Sequence, residues 1–323
     1  MMTRVLVTGG TGFIGSHLTE RLLREGYEVW LLLRRRRQWL PPQVHIVKGD
    51  LSTGEIPELK GFHHVFHIAG LTRAVKPEDF FRVNAGGTEV LIKKIVDSGG
   101  ISGRFIYLSS LAAQGPTTRD RPLKEEDPPR PVSPYGESKL QAERACLLFK
   151  DRLPVGILRP SAVYGPRDDY MLELFKVIAR GVLPRVGKGE RWISLCYVDD
   201  VVEALLRAAE RDYPSGEVFL ISDGRCYSLQ ELADMVASFL GVRCREVRVP
   251  VRLARAIALL GEAIGRLRGK AVAFSRNKLT EALQEAWICD TSKARRVLGF
   301  EPRYPLAEGL KITLRWYREA GWL

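Results

Sequence analysis

A tyrosine and a lysine lie four residues apart at Tyr135 and Lys139, in the stretch YGESK. On a helix this spacing places the two side chains on one face. A phenol with an ordinary pKa of ~10 is a poor acid or base near neutral pH, and a neighbouring ammonium lowers that pKa. The pair could therefore exchange a proton with a substrate hydroxyl or carbonyl. A serine at the end of the strand expected over 104–108 could hydrogen-bond the same oxygen.

A glycine-rich turn near the start of the chain is the second candidate site. The apolar run 5–7 predicts a buried parallel strand, followed by GGTGFIG and a helix expected over 16–25. Glycines allow a tight turn and close approach of a pyrophosphate, and free N–H groups at the helix N-terminus attract phosphates. An ordinary glycine-rich turn is the alternative, but this context favours a dinucleotide site. The expected cofactor contacts are Gly9, Gly12, Phe13, Ile14 and Gly15.

The strand expected over 28–33 is followed directly by Arg34. An acidic residue at this place would hold the ribose hydroxyls of NAD(H), whereas an arginine would meet the 2′-phosphate of NADP(H). We therefore expect NADP(H) as the preferred cofactor, with NAD(H) as the alternative. A solvated basic loop over 34–37 is the competing interpretation of the same residues.

Two further strand ends predict cofactor contacts. Asp50 follows the strand expected over 44–48 and could accept a hydrogen bond from the adenine amino group. Ala69 and Gly70 follow the strand expected over 64–68, and their small size would let the cofactor approach the backbone closely.

The order of elements predicts an α/β fold, with a Rossmann-type doubly wound parallel sheet and a smaller mixed α/β C-terminal region. A helix over 77–98 and a helix from 134 to about 150 alternate with the strands, and a proline-rich loop over 114–134 would cover the site. We expect a dinucleotide-binding domain over 1–165, to which strands and helices from about 195–225 return. Residues 166–323 are expected to form the substrate-binding region.

The composition indicates a globular protein of 323 residues with a formal net charge of +12. That charge suits anionic ligands or an anionic membrane surface, and we expect no nucleic-acid partner because no binding motif supports one. The five cysteines are far apart and lack a CxxC pair, which favours reduced thiols. The first strand begins at once, so we expect no signal peptide and a cytoplasmic location. No apolar stretch is long enough for a membrane span.

Two patterns admit more than one interpretation. His63, His64 and His67 are close in sequence, but adjacent residues of a strand lie on opposite faces, so we expect no metal site. The segment 250–268 predicts an amphipathic helix with arginines around an apolar face. It could be a lid or a membrane-surface helix, and a packed surface helix is the favoured interpretation.

The sequence resembles the extended short-chain dehydrogenase/reductases, the NAD-dependent epimerase/dehydratase superfamily, over essentially its whole length. The matching stretches are TGGTGFIGSH, GDL, HIAG, NAGGT, YLSS, YGESK, LRPSAVYGPRD, YVDDVVEAL and DTSKARRVLGF. The resemblance implies that Tyr135 is the catalytic acid/base and that Lys139 lowers its pKa and holds the nicotinamide ribose. It implies that Ser110 binds the reacting oxygen and that Asn84 lies near the cofactor as part of the catalytic set. The remaining cofactor contacts that it implies are Leu51, Ser109, Pro160 and Val163.

Several positions depart from the patterns of particular branches. The Asp-Glu pair with which 4,6-dehydratases eliminate water is replaced by Leu111 and Ala112. Sugar-nucleotide relatives usually carry an asparagine where this chain has Ala162, and a diphosphate-gripping arginine where it has Ile193. The strand-end arginine and the stretch SSLAAQGP look more like the 3β-hydroxysteroid dehydrogenase and dihydroflavonol reductase-like branch. Ala162 and Ile193 suggest an apolar substrate wall, although Arg191 and its neighbours could supply a displaced clamp.

Three functions follow as hypotheses. The leading one is an NAD(P)-dependent oxidoreductase that interconverts a secondary alcohol and a ketone on a small-molecule substrate. The second is a sugar-nucleotide epimerase or reductase of the same family, and the third is a non-catalytic cofactor-binding sensor or scaffold. The intact set of Ser110, Tyr135 and Lys139 speaks against the third. A homodimer is expected, and a peripheral membrane contact is left open.

Overall fold

The computed structural model describes residues 2–35, 37–272 and 274–323. Short apolar runs form its strands, and the larger helices follow them along the chain. Within the described residues the strands are β1 (Arg4–Thr8), β2 (Glu28–Leu33), β3 (His45–Lys48), β4 (His64–His67), β5 (Phe105–Leu108), β6 (Val155–Pro160), β7 (Ala162–Tyr164), β8 (Val182–Val186), β9 (Trp192–Ile193), β10 (Leu195–Tyr197), β11 (Glu217–Ile221), β12 (Tyr227–Ser228), β13 (Arg245–Val249) and β14 (Ala286–Trp287).

Helices cover both faces of the central sheet and build the C-terminal region. In the same residues they are α1 (Phe13–Arg24), α2 (Pro77–Phe80), α3 (Gly87–Asp97), α4 (Leu111–Gln114), α5 (Pro134–Leu147), α6 (Met171–Ala179), α7 (Val198–Glu210), α8 (Leu229–Leu240), α9 (Val251–Leu267), α10 (Arg276–Ala282) and α11 (Leu306–Glu319). Two wider, π-helical segments cover Phe81–Gly86 and Ala294–Leu298.

Seven parallel strands form the central sheet in the order β3-β2-β1-β4-β5-β6-β11. This is the doubly wound Rossmann-type arrangement, so the predicted fold class is confirmed. The chain reverses its direction of travel across the sheet between β1 and β4, and dinucleotides bind in the crevice at the carboxyl ends of such strands. β11 joins this sheet, whereas β10 pairs with β7 in a separate two-stranded sheet.

The sheet is buried on both faces, which explains its continuous apolar strands. Val5 and Val7 of β1 pack with α1 and α7 into one core, and Leu6 between them packs with α3 and α5 into another. A third core joins α6, α8 and α11 in the C-terminal region. A capping box begins α8, because the side chains of Ser228 and Glu231 each accept a hydrogen bond from the other residue's backbone N–H.

The structure differs from the sequence-based expectations in several places. The helix predicted over 77–98 is interrupted by the π-helical segment that carries Asn84. Several two- to five-residue strands and α10 were not predicted in the C-terminal region, because such short elements show no periodicity.

The amphipathic helix predicted over 250–268 is present as α9. The favoured interpretation is a packed surface helix, but the structure does not bury the large apolar side chains of this helix. Its buried residues are the small ones, Ala254, Ala258 and Gly265. Large apolar residues such as Leu260 and Leu267 are exposed. None of the helices in the described ranges is long and apolar enough to cross a membrane.

Candidate active site

The predicted cofactor residues lie along one edge of the central sheet. The glycine-rich turn follows β1, Arg34 follows β2, Asp50 and Leu51 follow β3, Ala69 and Gly70 follow β4, and Ser109 follows β5. Pro160 ends β6, and Val163 lies just beyond it in β7. Because parallel strands end at the same edge, the fold brings these sequence-distant residues to one crevice.

The glycine-rich turn is shaped by close backbone contacts. Gly9 has φ +72°, and a Cβ atom there would lie 2.6 Å from the Ala69 nitrogen. A Cβ atom on Gly15 would lie 2.1 Å from the Gly9 carbonyl oxygen, so α1 can approach the turn only with a glycine there. Gly12 precedes α1, whose first residues are Phe13 and Ile14, and has no side chain to cap the helix N–H groups. The arrangement fits the diphosphate of a dinucleotide.

The residues predicted to contact the adenosine lie next to each other. The Asp50 carboxylate accepts hydrogen bonds at Oδ1 from the Ser52 N–H (2.8 Å) and hydroxyl (2.6 Å). These bonds, and the charges of Arg34 and Arg82, lower the pKa of Asp50. Arg34 is exposed at the mouth of the crevice, whereas Arg36 of the same basic run lies outside the described residues.

The buried His67 side chain on β4 connects this strand to β1 and α3 below the crevice. His67 contacts the Thr8 hydroxyl through Nδ1 (2.6 Å) and the Thr88 hydroxyl through Nε2 (2.8 Å). The Thr8 hydroxyl also accepts a bond from the Ala69 N–H. Burial lowers the pKa of His67 to about 3, so the ring is neutral at ordinary pH. Residues 2–35, 37–272 and 274–323 contain no group of three or more metal-binding side chains.

Tyr135 lies in the first turn of α5, near the carboxyl end of β5. Ser133 caps this helix by accepting a bond from the Gly136 N–H (3.1 Å), and the proline at the first helical position suits the turn. Burial raises the pKa of Tyr135, and a hydrogen bond with the Ser110 side chain opposes that effect. The structure therefore brings together the tyrosine and the serine that the sequence placed in one site.

Lys139 is buried one turn further along α5. Its Nζ donates to the Leu108 carbonyl oxygen (2.6 Å) and lies 4.5 Å from the centroid of the Tyr107 ring. Burial lowers the pKa of Lys139 to about 8. A Cβ atom at Gly70 would lie 3.6 Å from Nζ, so the lysine and the glycine face the same part of the crevice. The effect of Lys139 on the tyrosine stays a prediction.

Asn84 is buried in the π-helical segment and connects the loop after β4 to helix α5. Its Oδ1 accepts a bond from the Leu71 N–H (2.7 Å), and its Nδ2 donates to the Leu71 carbonyl (3.1 Å) and the Ser138 hydroxyl (2.9 Å). These contacts hold the segment after β4 against α5, next to Tyr135. In this arrangement Asn84 can position the site, and its membership of the catalytic set stays a prediction.

A buried ion pair lies next to the end of β5, where Ser109 and Ser110 are located. Arg159 on β6 and Glu143 on α5 form this pair, and both side chains are almost fully buried. The same carboxylate accepts a hydrogen bond from the Ser109 hydroxyl, and the arginine also donates to Gln114. The network fixes the end of β5, from which Ser110 reaches Tyr135. No short sequence pattern points to this network, because its partners are distant in the chain.

Two charged residues of the C-terminal region lie next to Tyr135, and the sequence did not predict them there. Lys278 on α10 lies 5.3 Å from the Tyr135 ring centroid and 2.9 Å from the Glu281 carboxylate. Glu281 also accepts a bond from the Ser133 hydroxyl (2.5 Å), which ties α10 to the start of α5. Burial lowers the pKa of Lys278, but Tyr170 and Glu281 together raise it, so the amine is charged beside the phenol.

The cavity beside Tyr135 is small and basic. It has a volume of about 70 Å³, well below the ~300 Å³ from which ligand pockets usually begin. Its lining includes Arg73, Arg276 and Lys278 together with apolar residues such as Phe80.

The residues expected to form an apolar substrate wall lie elsewhere. Ile193 and Ala162 pack against the C-terminal core around α6 and α11. Arg191 donates to the carbonyl oxygens of Ala282 (3.2 Å) and Lys188 (3.0 Å). Ile193 and Ala162 are both partly buried, and their role as an apolar substrate wall stays a prediction.

Comparison with known proteins agrees with this geometry. The NAD dependent epimerase/dehydratase family matches residues 5–222. The chain is 32% identical to a ceramide reductase of Caulobacter vibrioides, over 99% of this chain and 96% of the relative. It is 30% identical to a 4-hydroxy-2-methyl-3-oxo-4-farnesyl-3,4-dihydroquinoline-1-oxide ketoreductase of Stigmatella aurantiaca, over 98% and 96%. A 3 beta-hydroxysteroid dehydrogenase/Delta 5-->4-isomerase of Mycobacterium tuberculosis is 28% identical over 97% and 90%.

Solved structures share the whole architecture. The UDP-glucose 4-epimerase of Thermotoga maritima with UDP-glucose superposes with a TM-score of 0.78 at 28% identity, covering 98% of this chain and 99% of that one. The predicted resemblance and its steroid dehydrogenase-like character are confirmed. The chain belongs to the NAD-dependent epimerase/dehydratase family, the extended short-chain dehydrogenase/reductases, and is an enzyme of that family.

Proposed function

We propose that this enzyme interconverts a secondary alcohol and a ketone, and that Ser110, Tyr135 and Lys139 are its catalytic residues. The observation that carries the proposal is the convergence of two side chains at the carboxyl end of β5: Ser110, which caps α4, and Tyr135 in the first turn of α5, whose pKa the nearby serine lowers against the effect of burial. Two hydroxyl groups at one point can bind a single substrate oxygen. The glycine-rich turn across the same edge fits the cofactor diphosphate.

The protein's own residues would handle the proton and the oxygen. A nicotinamide bound in the crevice supplies the hydride in the reducing direction and accepts it in the oxidising direction. Ser110 donates a hydrogen bond to the carbonyl oxygen, and the Tyr135 hydroxyl gives that oxygen its proton as the alcohol forms. Lys139, charged and one turn away, favours the phenolate that is left.

We further propose a lipophilic ketone or alcohol as the substrate. The ceramide reductase and the farnesyl-dihydroquinoline ketoreductase are both named for reductions on molecules with long hydrocarbon parts. The arginine that sugar-nucleotide relatives use to hold the diphosphate is Ile193 here, and Arg191 bonds backbone carbonyls instead. Phe80 and Val272 in the cavity lining offer apolar contacts.

A sugar-nucleotide substrate is the second candidate. The cavity beside Tyr135 carries Arg73, Arg276 and Lys278, whose positive charges could hold a diphosphate. A structural neighbour of the same fold is an epimerase with UDP-glucose. The two candidates differ in the net redox change, because an epimerase returns the hydride to the same molecule.

Initial rates with both substrate classes test the proposal. Purified protein with NADPH or NADH is mixed with long-chain and cyclic ketones or with UDP-, dTDP- and GDP-hexoses. Nicotinamide absorbance and sugar products are both recorded. Reduction of at least one lipophilic ketone is expected, and no turnover of the hexoses. Micromolar binding or turnover of a nucleotide sugar, with no ketone reduced, would overturn the substrate class.

NADPH is proposed as the preferred cofactor because of the strand-end arginine. A charge-assisted bond to the 2′-phosphate contributes roughly 1.5–3 kcal/mol, so we expect about ten- to a hundredfold tighter binding of NADPH than of NADH. Arg34→Ala should remove that difference, whereas Arg24→Ala at the end of α1 should not. Calorimetric titration with both cofactors measures it, and equal or tighter binding of NADH to the wild-type protein contradicts it.

Assembly and location stay predictions. A homodimer is expected, and analytical ultracentrifugation of the purified chain tests it. The cytoplasmic location is likewise a prediction, which fractionation of cells that produce the tagged protein would test.

A further inference from the structure

Helix α9 exposes a stripe of large apolar side chains. Leu253, Ile257, Leu260, Ile264 and Leu267 recur at spacings of four and three residues, which places them on one face of the helix. All five are exposed; Leu260 is 65% and Leu267 89% accessible. A helix that packs on its own protein normally buries such a stripe, so this face calls for an apolar partner outside the chain.

The buried face of α9 consists of small residues, which explains why the stripe faces outward. Ala254, Ala258 and Gly265 are buried there. A Cβ atom on Gly265 would lie 2.7 Å from the Lys270 carbonyl oxygen and 2.8 Å from a Val272 methyl group. This close approach leaves no room for a large side chain on the inner face. The large apolar residues therefore cannot be buried by rotating the helix.

The charges around the stripe indicate which class of partner this face of α9 would bind. Residues 251–272 contain five basic residues and a single acidic one, Glu262. Glu262 is inside, where it accepts a hydrogen bond from the Arg276 side chain (2.9 Å). By helical spacing, Arg252 lies on one flank of the stripe and Arg268 on the other, whereas Arg255 and Arg266 lie further round the helix. The stripe is thus bordered by positive charge without an acidic residue beside it.

A second copy of the chain is a poor partner for this face. Two stripes packed together would bring the flanking arginines of both copies close to one another, with no acidic residues at those positions to pair with them. An anionic lipid surface offers both the apolar layer and the negative charge. Amphipathic helices of this composition lie in the plane of such surfaces.

We propose that α9 docks the protein on the surface of an anionic phospholipid bilayer. The five apolar side chains enter the boundary between head groups and acyl chains, and the flanking arginines contact lipid phosphates. Glu262, Gly265 and Arg266 of the same helix line the cavity beside Tyr135, so a docked enzyme would hold its site next to the bilayer. That link to a lipophilic substrate rests on the proposed function, whereas the docking itself does not.

Vesicle flotation tests the docking without any substrate. The full-length protein is mixed with vesicles of phosphatidylcholine alone or with about 30% phosphatidylglycerol, at low and high salt. We expect binding to the anionic vesicles, weaker binding at high salt because the charges are screened, and little binding to phosphatidylcholine. Leu260→Glu and Ile264→Glu should each weaken binding about tenfold or more, because each removes an inserted apolar side chain.

Leu148→Glu provides the matched control, since Leu148 is an exposed leucine at the end of α5 and should leave vesicle binding unchanged. Circular dichroism and the reduction of a water-soluble ketone should be unchanged in the α9 variants, which separates docking from folding and catalysis. Absence of wild-type binding to anionic vesicles, or binding that both α9 variants retain, overturns the proposal. A dimer that Leu260→Glu dissociates, in a protein that binds no vesicles, would assign the stripe to a second copy instead.

Discussion

Replacing Tyr135 by phenylalanine is expected to lower turnover about 10²–10⁴-fold while cofactor affinity is retained. The substitution deletes one hydroxyl, the one next to Ser110, and leaves the ring between Phe80 and Lys278 in place. Without the phenol, the proposed geometry loses the group that gives the substrate oxygen its proton. The loss should therefore appear in kcat rather than in the affinity for the cofactor.

Steady-state rates on a ketone identified by the substrate screen measure this effect, with calorimetry for the cofactor. Tyr27→Phe is the matched control, because it also deletes a tyrosine hydroxyl, one that bonds Glu210 at the surface. We expect its turnover to equal that of the wild-type enzyme. Near-normal turnover of the Tyr135 variant would show that another group moves the proton and that the catalytic assignment is wrong.

The second large effect is expected on stability. Glu143→Ala leaves the buried Arg159 guanidinium without its carboxylate, and also removes the acceptor of the Ser109 hydroxyl. Breaking a buried ion pair by removing one partner typically costs about 3–5 kcal/mol, because the remaining charge is left uncompensated. We expect a lower free energy of unfolding by about that amount.

Urea denaturation followed by tryptophan fluorescence measures the change. Glu58→Ala is the matched control, since Glu58 forms an exposed ion pair with Lys60 (2.6 Å) and its loss should cost about 0–1 kcal/mol. A loss below about 1 kcal/mol for the Glu143 variant would mean that the pair does not hold the end of β5 as the structure indicates.

The sequence was most informative where function requires particular residue types at short spacing. The glycine-rich turn and the Tyr135–Lys139 pair are each visible within a few residues, because backbone approach and helical geometry impose their spacing. The parallel sheet could also be predicted, since strands buried on both faces are continuous apolar runs. The order of strands then places the predicted cofactor residues at one edge.

Features formed by distant segments could not be predicted. Lys278 reaches Tyr135 from α10, which is more than a hundred residues later in the chain and too short to show a pattern. The contacts of His67 with two threonines depend on the pairing of β1 with β4 and on the position of α3. The amphipathicity of α9 was recognised, but the sequence could not indicate that its small residues would face inward.

Deuterium transfer tests the central claim most directly. The enzyme is incubated with a lipophilic ketone and nicotinamide cofactor carrying deuterium at the transferable position, and the product is analysed by mass spectrometry and NMR. We expect one deuterium on the carbinol carbon, one cofactor oxidised for each alcohol formed, and loss of both signals in Tyr135→Phe. An inverted hexose of a nucleotide sugar formed without net oxidation of cofactor, and no labelled alcohol, would contradict the account.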